Sequence, residues 1–330
     1  MAGGQAGSAV TLRRDLTEAM SEIEFNQIDL HTDRILPPIN VAEVAGNYPV
    51  IPREAKMKIP DTKRAPDGTY VEGSWEWTQA TYTTQEYGFA EPVDNVDNLR
   101  WSDYVDQEQI SAEIARNSLL LAREKRTADR VQDTAVFTGA ANTLAITNEW
   151  DDDTNAVPWS DVNAGFIQLR GKTGFAKNRM SLILTDDVFN YALRTDEVVA
   201  SVQYTEAVVT MSPERKSQFL AEYFGVKEII TTSNLYDTTG LQLDATIGKL
   251  WSNEYGMLAV LSSGIQSFKE PSLGRRIVWK KYATDMIMES YERPDRNQTV
   301  IRAREYNGII INVDFGFLFS NMKTTVSNGI

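Results

Sequence analysis

Residues Asp106–Gly139, DQEQISAEIARNSLLLAREKRTADRVQDTAVFTG, decide how the rest of the chain is read. At helical period Ile110, Ile114, Leu121, Ala128 and Ala135 share one narrow stripe, flanked by Leu120, Val131 and Val136, which predicts a single amphipathic helix. Asp106 with Gln109 three residues on has the spacing of a capping box, and Gly139 is a natural stop. Such a helix would be roughly 50 Å long, more than a small globular domain needs. The stretch therefore reads as a spine. Arg116, Arg123, Arg126 and Arg130 gather in a narrow sector of its opposite face. Five basic and two acidic residues lie between 116 and 130, in a chain of net charge −13. This face is either a solvated one with loose surface ion pairs or a contact strip for an acidic segment or nucleic acid.

Composition narrows the chemistry. At 330 residues the chain is long enough for two or more lobes around a good core. No run approaches the ~20 apolar residues of a membrane span, and residues 1–10 lack the charged start and apolar run of a secretory signal, so a cytosolic site of synthesis is expected. Without cysteine there is no disulfide, thiolate metal site or thiol nucleophile, and the single histidine, His31, disfavours most zinc and triad chemistries. The acidic balance argues against the whole surface clinging to nucleic acid and suits one that lies beside DNA without sticking.

Along the chain, residues 1–10 are small and polar, and Leu12–Leu30 carries a weak helical pattern that Pro37 and Pro38 end. This composition fits an arm better than a domain. From Ala45 to Val93 the character is strand and turn. YPVIP (48–52) and AKMKIP (55–60) lead into APDG (65–68), a strong turn signal, and TYVEGSWEWTQATYTTQEYGF returns with alternating large groups. With few apolar residues for a private core, this reads as a hairpin extended from the body and needing a surface to lie on. Helices are expected over Ser160–Arg170, Asp187–Leu193 and Pro213–Phe224, and strands over Ser181–Leu184, Lys227–Thr231 and Met257–Leu261, an α/β lobe. Four further strands, at 275–281, 285–292, 299–306 and 308–319, read as an antiparallel meander packed on the spine helix.

Three tempting motifs fail on spacing. Asp151, Asp153 and Asn155 start like a calcium loop, but Ala156 and Val162 stand where glycine and glutamate are needed. Gly171-Lys172-Thr173 resembles the end of a phosphate loop, but Phe166 replaces its first glycine and a helix, not a strand, precedes it. Asp186 and Asp187 are the best-placed pair for a carboxylate-dependent hydrolase, and capping of the following helix explains them as well. No catalytic, metal or cofactor-binding residue is assigned.

The order of parts, arm, long hairpin, spine helix, inserted α/β lobe and terminal strands, resembles the major capsid protein of tailed double-stranded DNA bacteriophages, an α+β, HK97-like fold shared with herpesvirus capsid floors and encapsulin shells. The phrases NRMSLILTDDVFNYALRTDEVVASVQYTE, FLAEYFGVKEIITTSNLYDTT, KEPSLGRRIVW and REYNGIIINVDFGFLFSNM are similar to segments of that family. The resemblance implies an N-terminal arm over 1–44 and an extended loop over 45–95. It implies a peripheral domain over 96–149 and 268–330, and an axial domain over 150–267. A scaffolding segment would be absent, supplied separately or already removed. Some relatives crosslink an extended-loop lysine to a neighbour, and Lys56, Lys58 and Lys63 are available here.

The implied function is structural: self-assembly, as hexamers and pentamers, into an icosahedral head enclosing packaged DNA without sequence-specific binding. It would assemble in a host cytoplasm and reside in the virion, with scaffolding, portal and decoration proteins as further partners and no membrane. An encapsulin-type compartment is the alternative. Expected interface residues are Lys63, Arg64, Asp67 and Gly68 near the hairpin tip, with Trp75, Trp77 and Tyr82 as aromatic anchors. Packing within the hairpin would explain the same aromatics.

Overall fold

Two five-stranded sheets carry the fold, and the spine helix lies against both. The computed structural model describes residues 30–51, 57–64, 66, 68–73, 76–102, 106–202, 211–239, 244, 246–264, 267–280 and 286–324. The helix expected over Leu12–Leu30 lies outside them but for Leu30. In chain order the elements are α1 (Thr32–Ile35), β1 (Pro38–Val41), β2 (Ala45–Val50), β3 (Thr78–Thr83), β4 (Gln85–Asp94), α2 (Asn95–Trp101) and the spine helix α3 (Gln107–Val131). They continue as β5 (Thr143–Ala145), α4 (Pro158–Thr173), β6 (Ser181–Thr185), α5 (Asp186–Arg194), α6 (Asp196–Val202), α7 (Pro213–Phe224) and β7 (Glu228–Thr232). The last are β8 (Leu235–Asp237), β9 (Ile247–Lys249), β10 (Gly256–Ala259), β11 (Gly274–Trp279), β12 (Ile287–Arg293), β13 (Gln298–Ile311) and β14 (Gly316–Ser320).

The first sheet is built on β13. Along one edge β13 pairs antiparallel with β12 and then with β11, which in turn takes β1 in parallel; along the other edge it pairs with β4. The terminal strands are therefore not a meander. Two expected strands fuse into one of 14 residues, β11 skips β12, and β14 leaves for the second sheet. Gly308 makes the fusion possible. A Cβ there would stand 2.1 Å from the Thr83 carbonyl oxygen, so only glycine lets the β3–β4 junction cross so close. Residues 85–94, counted with the extended loop on sequence, run along β13.

The second sheet has the order β5-β14-β10-β6-β7, with β6 and β7 parallel. Its central strands are buried at nearly every position because both faces are covered. Leu182, Leu184, Leu258, Phe317 and Phe319 meet α4, α5 and α7 on one side. The intervening Ile183, Met257, Ala259 and Leu318 meet Ala128 and Val131 of the spine on the other. This is strand alternation with period two, hidden at Leu182–Leu184 and Phe317–Phe319 because both sets are apolar there. Gly165 lets α4 settle on this sheet, since a Cβ would lie 2.6 Å from the Phe319 ring. The three helices and three strands expected of this lobe are present within a few residues, and Gly171-Lys172-Thr173 is the last turn and C-terminal margin of α4, closed by left-handed Gly174.

The spine helix starts as expected, with the Asp106 side chain accepting from Gln109 N at 3.0 Å. It ends earlier than expected, at Val131, roughly 38 Å along its axis. Asp133 stops it: its carboxylate accepts from Ala135 N, and its carbonyl from Val136 and Phe137, turning the chain so that Phe137 enters the core. Gly139, with φ 78°, opens the next turn instead. The buried ridge is also different from the expected stripe. Ala115, Leu119, Arg123, Thr127 and Val131, four residues apart, form it, joined by Glu124 and Ala128, while Ile110 and Ile114 are exposed.

The hairpin pairs through β2 and β3, from Ala45 opposite Thr83 to Val50 opposite Thr78. Residues 58–60, expected in a strand, are not in one. Ahead of β11, Glu270 closes the β10–β11 connection, accepting from Ser263 N and Oγ, Ser262 Oγ and Arg275 Nη2. Burial alone would raise its pKa; these donors outweigh that and bring it to about 2.

Two outcomes follow from these contacts. Gly308→Ala should destabilise the chain by about 1–3 kcal/mol in urea unfolding, the scale of an unrelieved backbone clash. Glu270 is depressed in the folded chain, so its contribution is full above the ordinary value of 4.5 and is lost as pH falls toward 2. Unfolding midpoints between about pH 6 and pH 3 should fall less steeply for Glu270→Gln than for the parent chain.

Candidate assembly surfaces

Two of the four spine arginines are not a free surface. Arg123 is 4% exposed, and its Nε donates to Glu305 Oε2 at 2.8 Å, with Nη2 on the same oxygen. Arg126 Nη2 donates to the other oxygen, Glu305 Oε1, at 2.5 Å, and its guanidinium lies 3.6 Å from the centre of the Tyr87 ring. Burial pulls the Arg126 pKa below its ordinary value, opposed by Glu305 and Tyr87. Strand period explains the arrangement: Ala303 packs on Ala115 and Leu119, and Glu305, two residues on, reaches the next turns of the helix. Arg116 and Arg130 are exposed, Arg130 lying 3.8 Å from Asp133.

Glu124, beside Arg123, is fully buried. Its Oε2 accepts from His31 N (3.1 Å), Thr32 N (2.8 Å) and Thr32 Oγ1 (2.6 Å), and its Oε1 from Trp251 Nε1 (2.9 Å). Residues 31–36 are further held by Arg276 Nη2 donating to Asp33 at 2.8 Å, by Arg34 donating to Glu228, and by Ile35 and Leu36 in the core.

The hairpin is the reverse case. Arg64 Nε donates to the Gly68 carbonyl at 2.6 Å and its guanidinium lies over Tyr70, closing the turn around Pro66. Lys63 N donates to Asp61. Asp67 and Trp75 lie outside the described residues, as does Lys56. No described residue between 57 and 77 is buried, and Met57, Ile59, Tyr70, Val71 and Trp77 are large apolar groups in water, Ile59 at 97% exposure. Tyr82 behaves differently: it packs on Ile39, Val41 and Ile277 and roots the hairpin on the first sheet. A second exposed apolar group, Val96 and Leu99 of α2 with Ile110 and Ile114 of the spine, was not anticipated. The terminal strands expected to cover Ile110 and Ile114 instead pack on the ridge of Ala115 and Leu119.

The carboxylates singled out on sequence have local roles. Asp151 accepts from Thr324, Asp152 from Thr154 and Asn155, and Asp153 from Arg194. Asp186 and Asp187 do not cap α5, whose N-cap is Thr185; they occupy its first turn. Asp187 accepts from Lys249 and Asn253, whose hydrogen bonds outweigh burial and lower its pKa, and both aspartates line a cleft of about 210 Å³ at the carboxyl ends of β6 and β7. Among the described residues no group of three histidine, aspartate or glutamate side chains is placed to hold a metal, and no helix is long and apolar enough to cross a membrane.

This architecture matches solved structures over most of its length. A phage-related protein from Bordetella bronchiseptica superposes with a TM-score of 0.67 at 18% identity, over 90% of this chain and 94% of that one. The capsid of cyanophage P-SCSP1u gives 0.60 at 11%, over 96% and 95%. The holo-SrpI encapsulin complex of Synechococcus elongatus gives 0.50 at 9%, over 95% and 97%. No family model matches the chain, and no curated protein matches it in sequence. The chain has the α+β, HK97-like fold found in phage capsids, as its order of parts implied.

The ion cluster on the spine makes a quantitative prediction. Glu305→Gln removes the buried carboxylate shared by Arg123 and Arg126 and should cost about 3–5 kcal/mol in urea unfolding. Adding Arg123→Met should recover much of that loss; an additive double variant would show that the pair is not coupled.

Proposed function

We propose that the chain is a structural shell subunit that assembles as hexamers and pentamers into an icosahedral phage head around packaged double-stranded DNA. The observation that carries this reading is the hairpin between residues 57 and 77, which has several large apolar side chains and, among its described residues, none that is buried. An isolated ribbon of this kind is marginal in water and gains order from a surface that covers it. The fold match to phage capsids supports a second copy as that surface. In this reading residues 1–44 are the arm and 45–95 the extended loop. Residues 96–149 with 268–330 form the peripheral domain and 150–267 the axial domain. Arm and loop lie over neighbouring subunits, and many modest contacts close the shell by repetition. Trp77 and Ile59 are the anchors on the described part of the loop. Arg116 and Arg130 are the spine cations left for an arm or scaffold. The subunits assemble in the host cytoplasm and reside in the virion, with scaffolding, portal and decoration proteins as further partners. DNA is enclosed without sequence-specific contacts, and no residue is assigned to catalysis.

The encapsulin match supports a second reading, a compartment with the same wall and protein cargo. Electron microscopy of the purified chain, with analysis of what the particles hold, separates the two: nucleic acid favours the head, cargo protein the compartment. Ile59→Ser with Trp77→Ser should leave the unfolding midpoint of the free subunit nearly unchanged, since both side chains are exposed. The same variant should fail to form closed shells; normal shells from it would overturn the reading.

A further inference from the structure

Residues 162–185 contain four basic and no acidic residues, in a chain of net charge −13. They cover most of α4, a 3₁₀ turn at Lys177–Arg179, and β6. Three of the four cations have no carboxylate partner among the described residues and sit on aromatic rings instead. Lys177 lies 5.7 Å from the Trp159 ring centre and 5.4 Å from that of Phe166. Arg170 lies 5.9 Å from Phe166, and Arg179 4.4 Å from Phe175. Trp159, Phe166 and Arg170 fall on one helical stripe, flanked by exposed Ile167. The nearby carboxylates are already engaged: Glu197 accepts from Trp159 N, and Glu228 from Arg34 and Ser181. The result is a mixed cationic and apolar patch.

The same chain carries a matching segment. Residues 15–29, DLTEAMSEIEFNQID, hold five acidic residues, no basic ones, and Leu16, Met20, Ile23 and Phe25. This segment precedes Leu30, where the described residues begin, and a chain of contacts links Arg34 to the strand that follows the patch. Arg34 donates to Glu228, which pairs in register with Ser181, two residues after Arg179. A span of 15 residues can reach up to about 50 Å, ample for this distance. We infer that in the free subunit the acidic segment 15–29 docks in cis on the patch formed by Trp159, Phe166, Ile167, Arg170, Lys177 and Arg179. The contact does not depend on the shell reading. Where that reading holds, assembly exchanges it for one on a neighbour, so the docked arm is a state that the subunit leaves. A duplex presents phosphates and little apolar surface to Trp159 and Ile167, whereas this segment offers acid and apolar groups together.

The test uses the full-length, unassembled chain with a photo-crosslinking p-benzoylphenylalanine in place of Phe25, in a mixture of isotopically heavy and light protein. Crosslinks should map to residues 159–179 and join heavy to heavy and light to light. R170E/K177E/R179E should lower their yield about tenfold, the scale of losing three exposed charge pairs together with their ring contacts. E18K/E22K/E24K should lower it similarly, and the two triple reversals combined should restore it, which a merely misfolded variant would not do. Crosslinks elsewhere, or an unchanged yield in the patch variant, overturn the proposal. Predominant heavy-to-light pairs overturn the cis contact in favour of a second copy. Nucleic acid that copurifies with the parent chain and is lost from R170E/K177E/R179E, with crosslinks unmoved, overturns it in favour of a polyanion site.

Discussion

Glu305 and Glu124 set the position of the spine helix. One carboxylate arrives from the middle of β13 and is divided between Arg123 and Arg126; the other leaves the helix and takes donors from His31, Thr32 and Trp251. Both are buried, and a buried carboxylate without donors would cost several kcal/mol. Each is tolerable in one register only. Sliding the helix by a turn along β13 would strand Glu305 away from its arginines and Glu124 away from the Thr32 hydroxyl. Apolar contacts alone would not be so selective, because the ridge of Ala115, Leu119 and Ala128 is small and could slip.

Fixing that register fixes the relation between the sheets. The first half of the spine presses Ala115 and Leu119 on Ala303, and its end presses Ala128 and Val131 on the second sheet. The chain then uses its last strands to tie the same two layers again: β13 serves the first sheet, and after a short turn β14 enters the second. Gly308 and Gly165 mark where other parts come too close to these sheets for a side chain, the β3–β4 junction against the first and α4 against the Phe317 and Phe319 rings of the second. Function enters here, because the rigid body is what holds the hairpin base, through Tyr82, in a defined direction.

Elements governed by local chemistry are legible in the amino-acid sequence. Asp106 capping the spine and the helix at Pro213 both depend on neighbours within a turn. The errors come from partners distant in sequence. Arg123 and Glu305 are 182 residues apart, and Thr32 and Glu124 are 92 apart, so a helix face that reads as charged and solvated is in part buried. Ile110 and Ile114 read as core for the same reason: periodicity identifies a stripe but not what covers it. The break placed near Gly308 is similar, since a glycine that ends a strand and one that admits a crossing backbone look alike in a single chain. At the hairpin, alternation marks Trp77 and Tyr82 equally, yet one is exposed and the other is a root.

The division of labour between body and hairpin follows from where charge and apolar area are placed. Most of the body's buried ionic groups are paired within the chain, which makes its shape insensitive to what lies outside. The hairpin invests little of the kind: between residues 57 and 77 no described residue is buried, and the Arg64 turn with its Tyr70 contact is a local closure. In the proposed shell reading Ile59, Val71 and Trp77 would leave water on assembly, at roughly 25 cal/mol per Å² of apolar area. A contact of that size is modest alone, after the entropy of ordering a long ribbon is subtracted. Repeated around a closed symmetric assembly it becomes strong, because each added copy meets partners already held in place. A rigid body with a marginal, apolar ribbon is thus what the proposed shell reading requires of its subunit.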